Sequence, residues 1–267
     1  MQEQSACLDD RPRIGGGRPP GAQRHGFVTA FPGSDGPQVL RVETMSISPL
    51  PGPGVTVVIP CRDEAASLPG VLRAMPPGYH VIVVDNGSRD DTAGVAASLG
   101  ATVVHEPRPG YGAAVHRGIE ASRARYTAVL DGDGSMDPRE LPALVEAVRD
   151  GADLVVGRRR PTSKGSWPWH ARGGNLLIAA LIRRRLGINV HDIGAMRVAR
   201  TQALLDLGIT DRRFGYPLEL LVRAARAGWV IRELDITYRP RTGGESKVSG
   251  SVIGTTRAAR DFLKALA

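Results

Sequence analysis

With only two cysteines in 267 residues, Cys7 and Cys61, the chain cannot build a disulfide framework, and a reducing, cytosolic setting is the simplest expectation. Aromatic residues make up 4% of the chain, which leaves few platforms for stacking single-stranded bases, so nucleic acid is not the expected partner. No apolar run approaches the roughly 20 residues that a membrane span requires. The longest, Leu176 to Ile182, ends in Arg183, Arg184 and Arg185. The amino terminus carries acids early and has no apolar core of a secretory signal. Acids are also nearly missing from one stretch. Between 158 and 200, ten basic residues (Arg158, Arg159, Arg160, Lys164, Arg172, Arg183, Arg184, Arg185, Arg197 and Arg200) face Asp192 alone, so this segment carries the whole of the formal +8 excess. An anionic partner at one place, phosphate or anionic lipid, follows from that concentration.

What is present is ordinary for a globular domain: 42% hydrophobic and 23% charged residues. Residues 1–53 are rich in Gly, Pro and Ser without helical or strand period, and read as a disordered tail ahead of a folded domain at 54–267. Met45 just precedes the patterned region, so translation starting there is a second expectation. From Val55 onward, short β-branched runs alternate with helical stretches. Strands are expected at 55–59, 81–84, 102–105, 126–130, 153–156 and 229–238; helices at 65–74, 92–99, 112–124, 138–149, 173–186 and 217–227, with a further helix at the carboxyl terminus. Continuous apolar strands separated by helices predict an α/β fold, a Rossmann-like, mostly parallel sheet with helices on both faces. Ligands of such sheets bind beyond the carboxyl ends of the strands, where Asp85 and Asp131 fall.

Asp131-Gly132-Asp133 directly follows an apolar strand. Two carboxylates two residues apart at a strand end can converge on a hard divalent cation; a structural turn or calcium loop is the alternative. An EF-hand is excluded, because its sixth and twelfth positions would be Met136 and Pro142. Gly110-Tyr111-Gly112 is no dinucleotide fingerprint, since Val115 stands where the third glycine belongs, but it predicts a tight turn with close backbone approach. Asp85 or Asn86 can hydrogen-bond a base edge, and Asp63 can cap a helix. The 239–247 stretch, with Arg239, Arg241, Ser246 and Lys247 around Gly243-Gly244, can fold over a pyrophosphate or be a solvated basic turn. The run from Leu176 to Ile182 reads as a buried core helix whose arginines bind phosphate; contact of this helix and Trp167-Pro168-Trp169-His170 with an anionic bilayer is the alternative.

In order along the chain, Val58 to Glu64, Val84 to Ser88, Gly110 to Ala114, Asp131 to Asp133, Gly157 to Arg159, Arg172 to Asn175, Asp192 to Arg197 and Arg241 to Lys247 resemble the inverting GT-A glycosyltransferases of family 2, within them the dolichol- or polyprenyl-phosphate sugar synthase branch. The resemblance implies a GT-A fold and a nucleotide-sugar donor (UDP-, GDP- or dTDP-linked), with the nucleotide near Pro60, Arg62, Glu64, Asp85 and Gly112. It implies Mg²⁺ or Mn²⁺ on Asp131 and Asp133, Asp133 also being catalytic, and a phosphate grip from Arg197, Arg241, Ser246 and Lys247. A polyprenyl phosphate or other lipid-linked acceptor would be positioned by Arg158, Arg159 and Arg172. Were the acceptor a hydroxyl, Glu219 would be the candidate base; otherwise it is a favourable charge in a first helical turn. The sequence departs from the family pattern at Asp63 (usually Asn), Asn86 (usually Asp) and Ala195-Met196 (usually Gly-Phe). A cytoplasmic enzyme is expected, with peripheral contact at the inner face of the cell membrane. A sugar-1-phosphate nucleotidyltransferase and a non-enzymatic nucleotide-sugar or membrane-surface binding module are the rival readings.

Overall fold

The computed structural model describes residues 54–163, 167, 169–194 and 196–242. The 1–53 tail, Met45, the carboxyl-terminal helix, Ser246 and Lys247 lie outside the described residues.

Seven strands form one sheet: β1 (Val55–Cys61), β2 (His80–Asp85), β3 (Thr102–His105), β4 (Tyr126–Val129), β5 (Leu154–Pro161), β6 (Arg197–Arg200) and β7 (Ile231–Tyr238). Their spatial order is β3-β2-β1-β4-β6-β5-β7, with β6 alone antiparallel to its neighbours. The helices are α1 (Leu68–Arg73), α2 (Thr92–Ser98), α3 (Tyr111–Ala121), α4 (Leu141–Arg149), α5 (Trp169–Leu186), α6 (Thr201–Asp206) and α7 (Tyr216–Arg226).

Alternation along β1 sorts the two cores. Val55, Val57 and Ile59 face Leu68 of α1 and Leu141, Leu144, Val145 and Val148 of α4, while Val58 turns to Ala114 of α3 with Ile82 and Val84. On that second side, Val129, Leu154 and Val156 pack with Val115, Ile119, Ile182, Tyr216 and Leu220. Both faces are therefore covered by helices, and the strands read as unbroken apolar runs for that reason. At Gly118 a Cβ would meet the Val58 side chain, so α3 lies closer to the sheet than a larger residue allows.

Four differences from the sequence reading have physical causes. First, β1 continues through Pro60 to Cys61. Pairing with β4 ends at Val58–Val129, so the N–H that proline lacks falls past the neighbouring strand, while β2 still pairs beside Pro60. Second, β5 runs on through Arg158, Arg159 and Arg160 because β7 pairs with it as far as Pro161–Tyr238. Third, β6 was not anticipated: Arg197-Val198-Ala199-Arg200 is short and arginine-ended, and is a strand because it fits between β4 and β5. Fourth, α5 is not a core helix on all sides. Ala179 and Ile182 are buried, whereas Leu176 and Leu177 are 48% and 63% exposed.

Candidate active site

A cleft of about 160 Å³ opens at the carboxyl ends of β1, β2 and β4. One wall is Pro60, Cys61, Arg62 and Glu64 from the end of β1, and another is Gly110, Tyr111 and Ala114 at the start of α3. Asp131, Gly132 and Asp133, just past β4, form a third side, where Arg241 and Phe214 also border the cavity. The structure thus brings together Pro60, Arg62, Glu64, Asp131, Asp133 and Arg241 from the sequence candidates.

The wall after β1 is held by an unusual backbone. Asp63 has φ of 55°, a left-handed conformation that Asp and Asn tolerate better than other side-chain-bearing residues. Its N–H donates to Ser88 Oγ (3.0 Å) and its Oδ1 accepts from Arg89 N (2.6 Å), so the turn after β2 locks the turn after β1. An aspartate at this position keeps both the left-handed conformation and the acceptor oxygen that an asparagine would offer. Glu64 N donates to Thr92 Oγ1 (2.9 Å), and its carboxylate accepts from Ser67 Oγ (2.8 Å).

Asp131 and Asp133 are the two carboxylates that border the cleft just past β4. Burial, and next the charge of Asp133, push the Asp131 carboxyl up to about 6, against the pull of Arg197, Arg241 and Arg159. Asp133 is 3% exposed. Its Oδ1 accepts from Ser135 N (2.9 Å), its Oδ2 pairs with Arg241 Nε (3.2 Å), and its backbone carbonyl accepts from Thr242 N (3.1 Å) and Thr242 Oγ1 (3.2 Å). Arg239 N donates to Ser135 O (2.8 Å), so the chain leaving β7 runs along the acidic loop and sets Arg241 on Asp133.

Two neighbouring carboxylates, one buried and one half-buried, fit a divalent cation, which would relieve the repulsion that adds to burial in raising Asp131. Among the described residues no group of three or more His, Cys, Asp or Glu could hold one alone, so the chain would supply two carboxylates, and the ion would complete its oxygen shell from diphosphate and water.

Beneath this pair lies Arg197, 3% exposed. Because β6 runs antiparallel, its first residue sits beside Val129 at the end of β4, which is why a basic residue in an unrecognised strand reaches Asp131. Its Nε donates to Gly194 O (2.7 Å) and Nη2 to the Tyr111 hydroxyl (3.1 Å). Its Nη1 and the Tyr216 hydroxyl are buried without a hydrogen-bond partner among the described residues. Burial pushes the Tyr216 hydroxyl up to about 12, and Arg197 opposes that rise. Arg197 is therefore under the site, absent from the lining of the cleft.

Other candidates are engaged elsewhere. Asp85 accepts from Ser88 N (3.1 Å) and lies 3.3 Å from His105 Nδ1; Asn86, its neighbour, is the residue that borders the cleft. Asn86 must be an amide: its Nδ2 donates to the carbonyls of Glu106 (2.8 Å) and Arg108 (2.7 Å), and its Oδ1 accepts from Gly110 N (2.8 Å). Gly112 does meet a close backbone, but that of its own chain. Gly112 N donates to Arg213 O (3.0 Å) and Ala113 N to Arg212 O (2.8 Å), so the start of α3 is capped by the loop that carries Phe214. Phe214 had no sequence signal, since only this packing brings it to the cleft.

Arg159 is clamped in bidentate fashion on Asp192 (2.9 and 2.7 Å) with its guanidinium 3.9 Å from the Trp167 ring, while Arg158 lies 3.9 Å from Glu233. Trp167 also packs on Tyr238, so it turns inward. Arg172 is exposed on α5. Glu219 does not border the cleft at all. It lies on another surface, where it accepts from Asp211 N (2.7 Å), Thr210 N (3.0 Å) and Arg223 Nε (2.6 Å). Burial would raise its carboxyl, but these bonds outweigh burial and hold it below the usual range. The expectation of a base at Glu219 is corrected accordingly: this side chain ties the 210–211 turn to α7.

Residues 56–208 match the family described as glycosyl transferase family 2. An uncharacterized glycosyltransferase of Mycobacterium tuberculosis is 59% identical over 215 residues, covering 80% of this chain and 99% of that protein. The polyprenol monophosphomannose synthase of Mycolicibacterium smegmatis is 35% identical over 216 residues, covering 74% and 82% respectively. Among solved structures, glucosyl-3-phosphoglycerate synthase from Mycobacterium tuberculosis, in complex with Mn²⁺, UDP and phosphoglyceric acid, superposes with a TM-score of 0.66 at 22% identity, covering 81% of this chain and 79% of that one. The mostly parallel sheet is thus that of the GT-A fold, and the chain, a glycosyltransferase, belongs to glycosyl transferase family 2.

Proposed function

We propose that the chain transfers a sugar, with inversion, from a nucleotide-sugar donor to a polyprenyl phosphate, using Mg²⁺ or Mn²⁺ held by Asp131 and Asp133. The observation that carries this reading is the carboxylate pair at the end of β4, Asp133 buried and Asp131 half-buried, facing the cleft with Arg241 laid against it. Support for the acceptor comes from the relative whose name specifies polyprenol monophosphomannose synthesis.

The metal, when bound, neutralises the charge that grows on the departing nucleoside diphosphate. The chain's own groups do the rest. Asp131 and Asp133 orient that ion, Arg241 is placed to move from Asp133 to a phosphate oxygen, and Ser246 and Lys247 follow it in sequence. Arg62 and Glu64 flank the nucleoside end. Contacts that strengthen as the glycosyl bond breaks lower the barrier most, each by about 3 kcal/mol. A phosphate acceptor is already ionised at neutral pH, so no proton has to be taken from it and the placement of Glu219 away from the cleft is no obstacle.

The test is incubation of the full chain with labelled UDP-, GDP- and dTDP-sugars, polyprenyl phosphate in detergent, and Mg²⁺ or Mn²⁺, followed by organic extraction. Label is expected in the lipid with one donor, lost on chelation and reduced more than about 100-fold in Asp133→Asn. Unlabelled lipid with every donor would overturn the proposal.

A further inference from the structure

Resting on the reading of Asp131 and Asp133 as metal ligands, we infer that Arg241 makes the cleft take its divalent cation only together with a diphosphate. Arg241 holds the cation's place on Asp133 until a phosphate draws it away.

Both oxygens of Asp133 are engaged by the chain itself. Oδ1 accepts from Ser135 N (2.9 Å), and Oδ2 pairs with Arg241 Nε (3.2 Å). The carboxylate side chain is 4% exposed and that of Arg241 30%, so solvent screens the pair only on its outer side. A divalent ion and a guanidinium repel each other and compete for one oxygen. Metal entering alone must therefore break the ion pair before it gains Asp133 as a ligand.

The contact is built into the backbone. Arg239 N donates to Ser135 O (2.8 Å) and Thr242 N to Asp133 O (3.1 Å), so the chain is pinned to the acidic loop on both sides of Arg241. Gly134, at φ of 75°, lies so close that a Cβ there would run into the Thr242 hydroxyl. Arg239 is tied down as well, Nη2 donating to Asp137 Oδ2 (3.2 Å), whereas Arg241 borders the cleft. The segment can thus stay in place while the long Arg241 side chain swings from carboxylate to phosphate.

A diphosphate supplies both things the exchange needs. Its oxygens accept forked hydrogen bonds from a guanidinium, and they complete the oxygen shell of an ion to which the chain offers two carboxylates. Diphosphate without metal would draw Arg241 off and leave Asp133 buried without a counter-charge. As the nucleoside diphosphate departs, Arg241 returns to Asp133 and the ion loses its seat, so metal and product leave together.

The experiment is titration of the full chain with Mn²⁺, read from the electron paramagnetic resonance signal of the free ion, without nucleotide and with UDP, GDP or dTDP, corrected for Mn²⁺ held by nucleotide in solution. The parent is expected to bind Mn²⁺ at least about tenfold more tightly with one of these diphosphates than alone. Arg241→Gln should bind nucleotide-free Mn²⁺ about tenfold more tightly than the parent, equivalent to about 1.4 kcal/mol, and the gain from the diphosphate should shrink by the same factor. Mn²⁺ alone should then raise the Tm of Arg241→Gln more than that of the parent. Arg241→Lys, which keeps a charge, and Arg239→Gln, which removes one from Asp137 instead, should stay within about threefold of the parent in nucleotide-free binding. If Arg241→Gln binds nucleotide-free Mn²⁺ no more tightly than the parent, the inference is overturned and the metal site stands. An equal gain in Arg239→Gln overturns it too, since that marks a general field and not a contact. No Mn²⁺ binding to the parent with any diphosphate would remove the metal reading itself, and the inference with it.

Discussion

Replacing Asn86 by the aspartate usual in the family should unfold the rim of the cleft, and should do so more as pH rises. The amide of Asn86, 8% exposed, makes three hydrogen bonds that hold the 106–110 segment between β3 and α3. In Asn86→Asp one carboxylate oxygen can keep Gly110 N, but the other faces the carbonyl oxygens of Glu106 and Arg108, with the Glu106 carboxylate, 4% exposed, nearby. Two lost bonds and two buried acceptors left against a charge amount to about 3–5 kcal/mol. For a domain of this size that is a fall in Tm of about 6–20 °C at neutral pH. The sign of the pH dependence follows from the folded state disfavouring the ionised form. The introduced carboxyl titrates higher in the folded than in the unfolded chain, so the variant's stability is retained below about pH 4 and lost as pH rises, by about 1.4 kcal/mol per unit until the folded group has ionised. Thermal or urea unfolding of variant and parent from acid to neutral pH measures the difference directly. A variant that melts within about 2 °C of the parent throughout, or gains on it as pH rises, refutes the argument that the carbonyls of Glu106 and Arg108 require an amide.

Three further outcomes follow from the same geometry. Glu219→Gln sets an NH₂ against the amide donors of Thr210 and Asp211, and should cost about 1–3 kcal/mol in urea unfolding while changing turnover on a phosphate acceptor less than about threefold; a large kcat loss with intact stability would restore Glu219 as a base. At Gly112 a Cβ would stand 2.8 Å from Asp211 O and from Tyr216 Cβ, so Gly112→Ala should lose about 1–3 kcal/mol, whereas Gly173→Ala, with nothing within 4 Å, should gain about 0.5–1 kcal/mol; equal denaturation midpoints for the two contradict this packing. The Arg139 guanidinium beside Asp137 holds its carboxyl down at about 2, so the stability it contributes is present above the ordinary carboxylate range and lost as pH falls toward 2; acid titration of Asp137→Asn should show a shallower loss than the parent.

The sheet was readable where burial on both faces forces a signature. Val81-Ile82-Val83-Val84 and the run from Tyr126 to Leu130 have no exposed side to carry polar residues, and each ends in an acid at the edge where a parallel sheet binds its ligands. Arg197 to Arg200 had no such signature, since its strand character comes from two partners distant in sequence, and the same pairing decided that Arg197 lies under Asp131. Arg158 and Arg159, read as free cations for an acceptor, have Glu233 and Asp192 beside them; charge is visible in a sequence and its neutralisation is not. Glu219 shows the same limit, because an acid in a first helical turn looks alike whether it faces a substrate or ties down its own chain. The sequence alone therefore determined the fold class and the position of Asp131 and Asp133 past a strand end, which rest on local spacing and unbroken apolar runs. Only the tertiary structure decided which of the surrounding polar groups face the cleft, because a charged side chain can meet either a ligand or another part of its own chain, as Arg159 meets Asp192 and Glu219 the 210–211 turn, and only chain packing chooses between them.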